Sequence, residues 1–163
     1  MIRGLHHNAY RCRDSEETRK FYEDFLGLPL SATLELMETK TGQATEALHT
    51  FYRLDDGSFL AFFEVPGVPF DFKAQHDYDL HIALEVDAAE LRPLLAKGTA
   101  AGIESRGIAD HGFIDSIYFR DPNGYVIELT AKRPDHDELT DPEVNGARAK
   151  LEFWQRKKEQ AAE

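Results

Sequence analysis

The sequence predicts an α+β fold built from two copies of one βαβββ unit, followed by a C-terminal helix. Three observations carry that expectation. The order of strand-like and helix-like patterns repeats along the chain, two stretches in each half can be laid on one another, and the composition is that of a chain with a core. Apolar residues make up 42% and aromatic residues 11% of 163 residues, which is enough to bury one domain and too much for disorder.

The first half opens with LHHNAYRCR, whose alternation reads as a strand. DSEETRKFYEDFLGLPL then reads as a helix: Asp14 and Ser15 form the cap, acids fill the first turn, Phe21, Phe25 and Leu26 make an apolar stripe, and Gly27 is the stop. A strand is expected around 33–38, then a polar interruption at TKTGQATEA. LHTFYRLDDGSFLAFFEVPG follows as a hairpin turning at Asp55-Asp56-Gly57. The second half repeats this order. YDLHIALEVD alternates, DAAELRPLLAKGTAAGI is a helix pattern, a strand is expected at 104–108 and a turn at 110–112, and IDSIYFRDPNGYVIELTA closes the unit.

His7-Asn8-Ala9-Tyr10-Arg11-Cys12 falls on His81-Ile82-Ala83-Leu84-Glu85-Val86, and YRLDDGSFLA falls on FRDPNGYVIE. Two matches in the same order point to an internal duplication. We therefore place one domain over 1–133, with modules of about 4–66 and 78–132, and a C-terminal extension over 134–163. In that extension PDHDELTDPEVNG is polar and turn-rich. ARAKLEFWQRKKEQ reads as a helix with Leu151 and Trp154 on one face, suited to docking or to a dimer contact.

A net charge of -11 argues against nucleic acid or an anionic membrane as partner, since both would repel the chain, and leaves a small molecule as the expected ligand. No apolar run approaches 20 residues, and MIRGLHHNAYRCRD lacks the apolar core of a signal peptide, so a cytoplasmic location is expected. The lone Cys12 suits a reducing compartment, and its place in an alternating strand makes it a buried, inert thiol.

GYVIELTA poses the chemical question, because an unpaired carboxylate at Glu128 inside an apolar strand costs several kcal/mol. Alternation in YDLHIALEV leaves His81 on the strand face opposite Leu80, Ile82, Leu84 and Val86. The same parity puts His7 with Leu5, Ala9 and Arg11, and Glu128 with Val126 and Thr130. Two imidazoles and a carboxylate on such faces match a two-His, one-carboxylate metal triad, with the cation compensating Glu128. A structural alternative pairs Glu128 with Arg11 or Arg106.

HHNAYRCRDSEETRKFYEDFLGLPL, DLHIALEVD and YFRDPNGYVIELT resemble the vicinal oxygen chelate superfamily, from about Leu5 to Ala131. That group includes glyoxalase I, bleomycin and fosfomycin resistance proteins, methylmalonyl-CoA epimerase and extradiol dioxygenases. The resemblance implies paired βαβββ modules forming an incomplete barrel around one divalent metal held by His7, His81 and Glu128, with His6 a neighbour of the wrong parity. The repeat mate of Glu128 is Ala61, where glyoxalase I proteins carry a further ligand and base; Glu64 could replace it only after a register shift.

Three ligands leave facial positions open, which suits Fe(II) or Mn(II) oxygen chemistry, with Zn(II), Ni(II) or Co(II) as alternatives. Tyr118, ten residues before Glu128, matches an active-site tyrosine of the extradiol branch, and His111 is the nearest acid/base histidine; His76 and His49 are weaker candidates. Phe62 or Phe63, Phe70, Phe72 and Phe113 border the expected cleft and suit a planar or apolar substrate. The expected function is a dioxygenase acting on a catechol-like or other bidentate oxygen substrate. The alternatives are a lyase or isomerase working through an enediolate, or a metal-free binding protein. A fosfomycin-type activity is disfavoured because no cluster of basic and hydroxyl residues stands ready for a phosphonate. A homodimer is expected from resembling proteins.

Overall fold

The computed structural model describes residues 1–38, 42 and 44–161. Residues 39–41 and 43 of the polar interruption TKTGQATEA lie outside the described residues, while its last four, expected outside any strand, open β3 instead. The elements are β1 (His7–Arg11), α1 (Ser15–Arg19) continuing as a π-helical segment over Lys20–Phe25, β2 (Leu30–Glu38), β3 (Ala44–Arg53) and β4 (Phe59–Glu64). Then come β5 (His81–Glu85), α2 (Leu91–Ala100), β6 (Ser105–Asp110), β7 (Ile114–Arg120) and β8 (Val126–Lys132). They form two four-stranded sheets, of order β1-β4-β3-β2 and β5-β8-β7-β6, so each half does build one βαβββ sheet. The chain divides into two compact units, 1–82 with 120–126, and 83–119 with 127–163.

In the first unit, β1 runs parallel to β4 with His7 opposite Phe59, and β4 runs antiparallel to β3 with Ala61 opposite Phe51. Asp14 caps α1 by accepting from the Glu17 N–H at 2.8 Å. The π-helical segment, marked by Leu26 N–H donating to Phe21 O at 3.0 Å, widens the helix so that Phe21, Tyr22 and Phe25 are all buried. Tyr22 lies 4.7 Å from Phe62 and 5.5 Å from Tyr52 between ring centroids, and all three are fully buried. Each such side chain contributes roughly 2–3 kcal/mol of burial. Cys12 is buried beside this core, and burial pushes its thiol up to about 11, which makes it unreactive near neutrality as expected.

The turn Asp121–Gly124 also belongs to this unit. Asp121 is 2% exposed, and its carboxylate accepts from Tyr22 Oη (2.9 Å), Asn123 Nδ2 (3.0 Å), Asn123 N (2.9 Å) and Tyr125 N (2.8 Å). Asn123 accepts in turn from Arg13 N at 2.8 Å. Gly124 has φ +95°, and a Cβ there would stand 2.6 Å from the Lys73 backbone nitrogen, so only glycine fits.

In the second unit, strand alternation is followed closely: Leu84 is buried while Ala83 and Glu85 are exposed. Leu91, Ile117, Phe119, Ile127 and Leu129 form the apolar core. Gly98 in α2 allows the Phe119 ring to approach, since a Cβ at Gly98 would lie 2.3 Å from Phe119 Cε1. The segment read as turn-rich contains two short helices, α3 (His136–Thr140) and α4 (Pro142–Asn145). Asp141 explains the second: it accepts from Glu143 N at 2.9 Å ahead of a proline at the first helical position. The expected terminal helix is α5 (Ala147–Ala161). Among the described residues no helix is long and apolar enough to cross a membrane.

Candidate functional site

β8 places Glu128 in the interior of its sheet, only 5% exposed, and β7 places Tyr118 beside it at 8% exposed. Tyr118 Oη donates to Glu128 Oε1 at 3.0 Å. His111 Nε2 lies 2.7 Å from the same hydroxyl. A hydroxyl has one proton, and it is directed at Glu128, so His111 takes the tautomer in which Nε2–H donates to Tyr118. The three residues form one chain, His111 to Tyr118 to Glu128. Burial and then the neighbouring Glu128 hold the Tyr118 phenol above its ordinary range.

The loop that carries His111 is fastened at both ends. His111 N–H donates to Ile114 O at 3.0 Å, Gly112 N–H to Asp110 Oδ1 at 2.7 Å, and Arg133 Nη1 to Asp110 Oδ1 at 2.6 Å. The Gly112 amide and Arg133 hold the Asp110 carboxyl below its usual range. Arg106, one of two cations considered for pairing with Glu128, lies over the Tyr118 ring at 4.2 Å and is its register partner on β6. The other, Arg11, donates from Nη2 to Val68 O at 3.1 Å and to Val65 O at 3.5 Å. Ser116 and Thr130 hydroxyls meet at 3.0 Å beside the Tyr118–Glu128 pair and extend the polar stripe. The resemblance points to Tyr118 ten residues before Glu128, but the loop contacts of Asp110 and Arg133 have no local signal.

His7 and His81 are both exposed, at the starts of β1 and β5. His81 Nδ1 donates to Asp77 O at 2.8 Å, which leaves the lone pair on Nε2, the usual state of a metal-binding imidazole. His7 Nδ1 lies 2.8 Å from His6 Nδ1, and its ring is 5.6 Å from Phe51 and 6.3 Å from His49. His49 is buried, donates from Nδ1 to Phe62 O at 3.0 Å, and stacks on Phe63 at 3.6 Å and 10°. Among the described residues no three His, Cys, Asp or Glu side chains stand close enough together to hold a metal ion.

The β3–β4 register is unbroken through Glu64, which therefore faces away from Ala61 and accepts from Ser15 N at 2.7 Å. Among the described residues no carboxylate takes the place of Ala61. His76 is a loop residue whose Nδ1 accepts from Tyr78 N at 3.1 Å. Of the aromatic candidates, Phe62 is core, Phe63 carries His49, Phe70 lies 4.9 Å under Lys73 Nζ, and Phe72 and Phe113 are exposed.

A duplicated βαβββ chain with two open four-stranded sheets defines the class. The chain belongs to the Glyoxalase/Bleomycin resistance protein/Dioxygenase superfamily, whose model matches residues 4–129. Solved structures agree on the fold. A glyoxylase/bleomycin resistance protein/dioxygenase domain from Frankia sp. EAN1pec has a TM-score of 0.64 at 19% identity, covering 82% of this chain and 100% of its own. The fosfomycin resistance protein FosX from Listeria monocytogenes, complexed with Mn(II) and sulfate, has a TM-score of 0.62 at 20% identity, covering 84% and 98%. A glyoxalase/dioxygenase from Nostoc punctiforme has a TM-score of 0.60 at 23% identity, covering 80% and 92%. A comparison with curated proteins gave no match.

Proposed function

We propose that this chain is a metal-dependent enzyme of its superfamily that holds a divalent cation with His7, His81 and Glu128. Its substrate carries two adjacent oxygens, and ring-opening dioxygenation of a catechol-like molecule is the reaction we favour. The observation that carries the reading is the buried Tyr118 hydroxyl, set between Glu128 and His111. The donor chemistry of two imidazoles and one buried carboxylate suits Fe(II) or Mn(II). Mn(II) accompanies one of the similar structures. When bound, such a metal supplies Lewis acidity and one-electron chemistry toward substrate and dioxygen.

The chain's own residues have separable tasks in this reading. Tyr118 fixes the Glu128 carboxylate through its hydrogen bond, so the ligand oxygen does not rotate. His111 holds the Tyr118 hydroxyl in place, and its Nε2–H can supply a proton through that hydroxyl toward a substrate oxygen. The open side of the first sheet offers Phe51, Phe59 and Phe63, all half-buried, as a floor for a flat substrate. The empty place at Ala61 separates this chain from glyoxalase I enzymes, which have a ligand and base there.

The test is metal analysis of protein purified without oxygen, followed by oxygen uptake with a panel of catechols. Stoichiometric iron or manganese with substrate-dependent uptake is expected. Bound metal without uptake replaces dioxygenation by isomerase or lyase chemistry at the same centre, and absence of metal after growth with adequate supply overturns the whole reading.

A further inference from the structure

Helix α5 and a cavity of the first unit have opposite chemistry. In α5, Ala147, Leu151 and Trp154 recur at helical spacing, and Leu151 and Trp154 are 57% and 53% exposed. Lys150, Lys157 and Lys158 flank that stripe, with Lys157 Nζ 5.2 Å from the Trp154 ring, whereas Glu152 and Glu159 lie on the side turned away from Trp154. The helix thus presents an apolar stripe with lysines beside Trp154, on a chain whose net charge is -11.

The cavity is on the first sheet and has a volume of about 250 Å³. At ~30 Å³ per water, that is room for several waters or for one bulky side chain. Met37, Leu48 and Pro66 supply its apolar wall, and Glu35, Glu46 and Glu64 edge it. Met37 is 66% exposed, so the apolar wall of the cavity reaches solvent on β2. An apolar hollow edged by anions is the complement of an apolar stripe with lysines beside it.

We infer that α5 of one chain docks onto this acidic cavity of a second copy, with Trp154 as the anchor. Each chain of such a pair carries one helix and one cavity, so a two-fold dimer makes the contact twice. Aromatic anchors carry most of the energy in interfaces of this kind, and the lysine–glutamate rim sets specificity and salt dependence.

The experiment is light scattering coupled to size exclusion, run as a concentration series at low and high salt, with circular dichroism to confirm that each variant is folded. Wild type should dimerise, and more weakly at high salt. Trp154→Ala should weaken association tenfold or more. The decisive pair is Glu35→Lys/Glu46→Lys and Lys157→Glu/Lys158→Glu. Each double variant alone should be monomeric, because helix and cavity then share a sign; mixed, they should form a heterodimer in which both contacts are again attractive. A wild-type protein that stays monomeric throughout, a dimer indifferent to these substitutions, or a mixture that fails to associate would each overturn the proposal. The third outcome would mean that α5 meets a different protein or its own chain.

Discussion

In the alignment that lays Tyr52–Ala61 on Phe119–Glu128, Phe51 corresponds to Tyr118, Ala61 to Glu128, His49 to Ser116 and Phe63 to Thr130. The backbone treats the two sets alike. Phe51 pairs with Ala61 and His49 with Phe63 across β3 and β4, while Tyr118 bonds Glu128 and Ser116 bonds Thr130 across β7 and β8. The turns between the strands repeat as well: Leu54 N donates to Ser58 O and Gly57 N to Leu54 O, as Asp121 N does to Tyr125 O and Gly124 N to Asp121 O. One frame therefore carries a ring-stacked surface in one half and a hydroxyl–carboxylate surface in the other. Duplication supplies equivalent positions, and the side chains at them make one stacked surface and one polar surface.

The turns offer the largest test of that division. Asp121 takes the place of Leu54 and satisfies four buried donors, whereas Leu54 is half-buried and its side chain can accept nothing. Asp121→Ala should cost about 3–5 kcal/mol in urea unfolding, because it orphans the donors of Tyr22, Asn123 and Tyr125. Leu54→Ala should cost about 1 kcal/mol. Equal losses would show that the second turn is not special.

The penalty at Asp121 also has a sign in pH. Burial raises its carboxyl above the ordinary aspartate range despite the hydrogen bonds. The native state then holds the proton more tightly than the unfolded state, so this group's contribution declines as pH rises between the two values. The wild-type minus Asp121→Ala difference should therefore be larger at the acid end of that interval than at neutral pH. A difference that grows with pH would refute the assignment.

A second contrast lies in the helices. α1 brings its own aromatics, Phe21, Tyr22 and Phe25, to the sheet, while at Gly98 α2 makes room for Phe119 from β7. Alanine normally helps a helix by about 1 kcal/mol over glycine. Here the new Cβ meets a ring that is 1% exposed and has nowhere to go. Overpacking should win, and Gly98→Ala should destabilise by about 1–2 kcal/mol, read as a lowered urea midpoint.

What the sequence disclosed follows from how local each cause is. Strand parity placed Ile82 and Leu84 inside and His81 outside, the Asp14 cap was evident, and Asp55-Asp56-Gly57 turned where expected. Glu128 was suspect because a carboxylate among Val126, Ile127 and Leu129 contradicts its surroundings. The Asp121 network escaped notice because Tyr22 and Asp121 are far apart in the chain, and DPNG reads as an ordinary exposed turn until α1 covers it. His111 and Tyr118 were each nameable, but their 2.7 Å contact depends on Arg133 holding the Asp110 loop, and no periodicity encodes that. The short helices α3 and α4 were missed because polar, proline-containing segments of a few residues carry no hydrophobic period.

The smallest expected effects test the polar pair itself, and the comparison of halves supplies their control. Tyr118→Phe removes one hydroxyl and leaves the ring under Arg106, so the fold should lose no more than about 1 kcal/mol. If Glu128 holds a metal and Tyr118 only orients it, loss of that hydrogen bond should weaken metal affinity about tenfold, as outer-shell substitutions commonly do. Phe51→Tyr makes the reverse change at the repeat position opposite Ala61, where no carboxylate waits. It should leave metal affinity unchanged and stability within about 0.5 kcal/mol of wild type. Titrating both variants with Mn(II) by calorimetry decides between two accounts of Tyr118. Equal affinities would make it a packing residue like its mate, and a selective loss in Tyr118→Phe would place the function of the duplicated fold on the second sheet's hydroxyl–carboxylate pair.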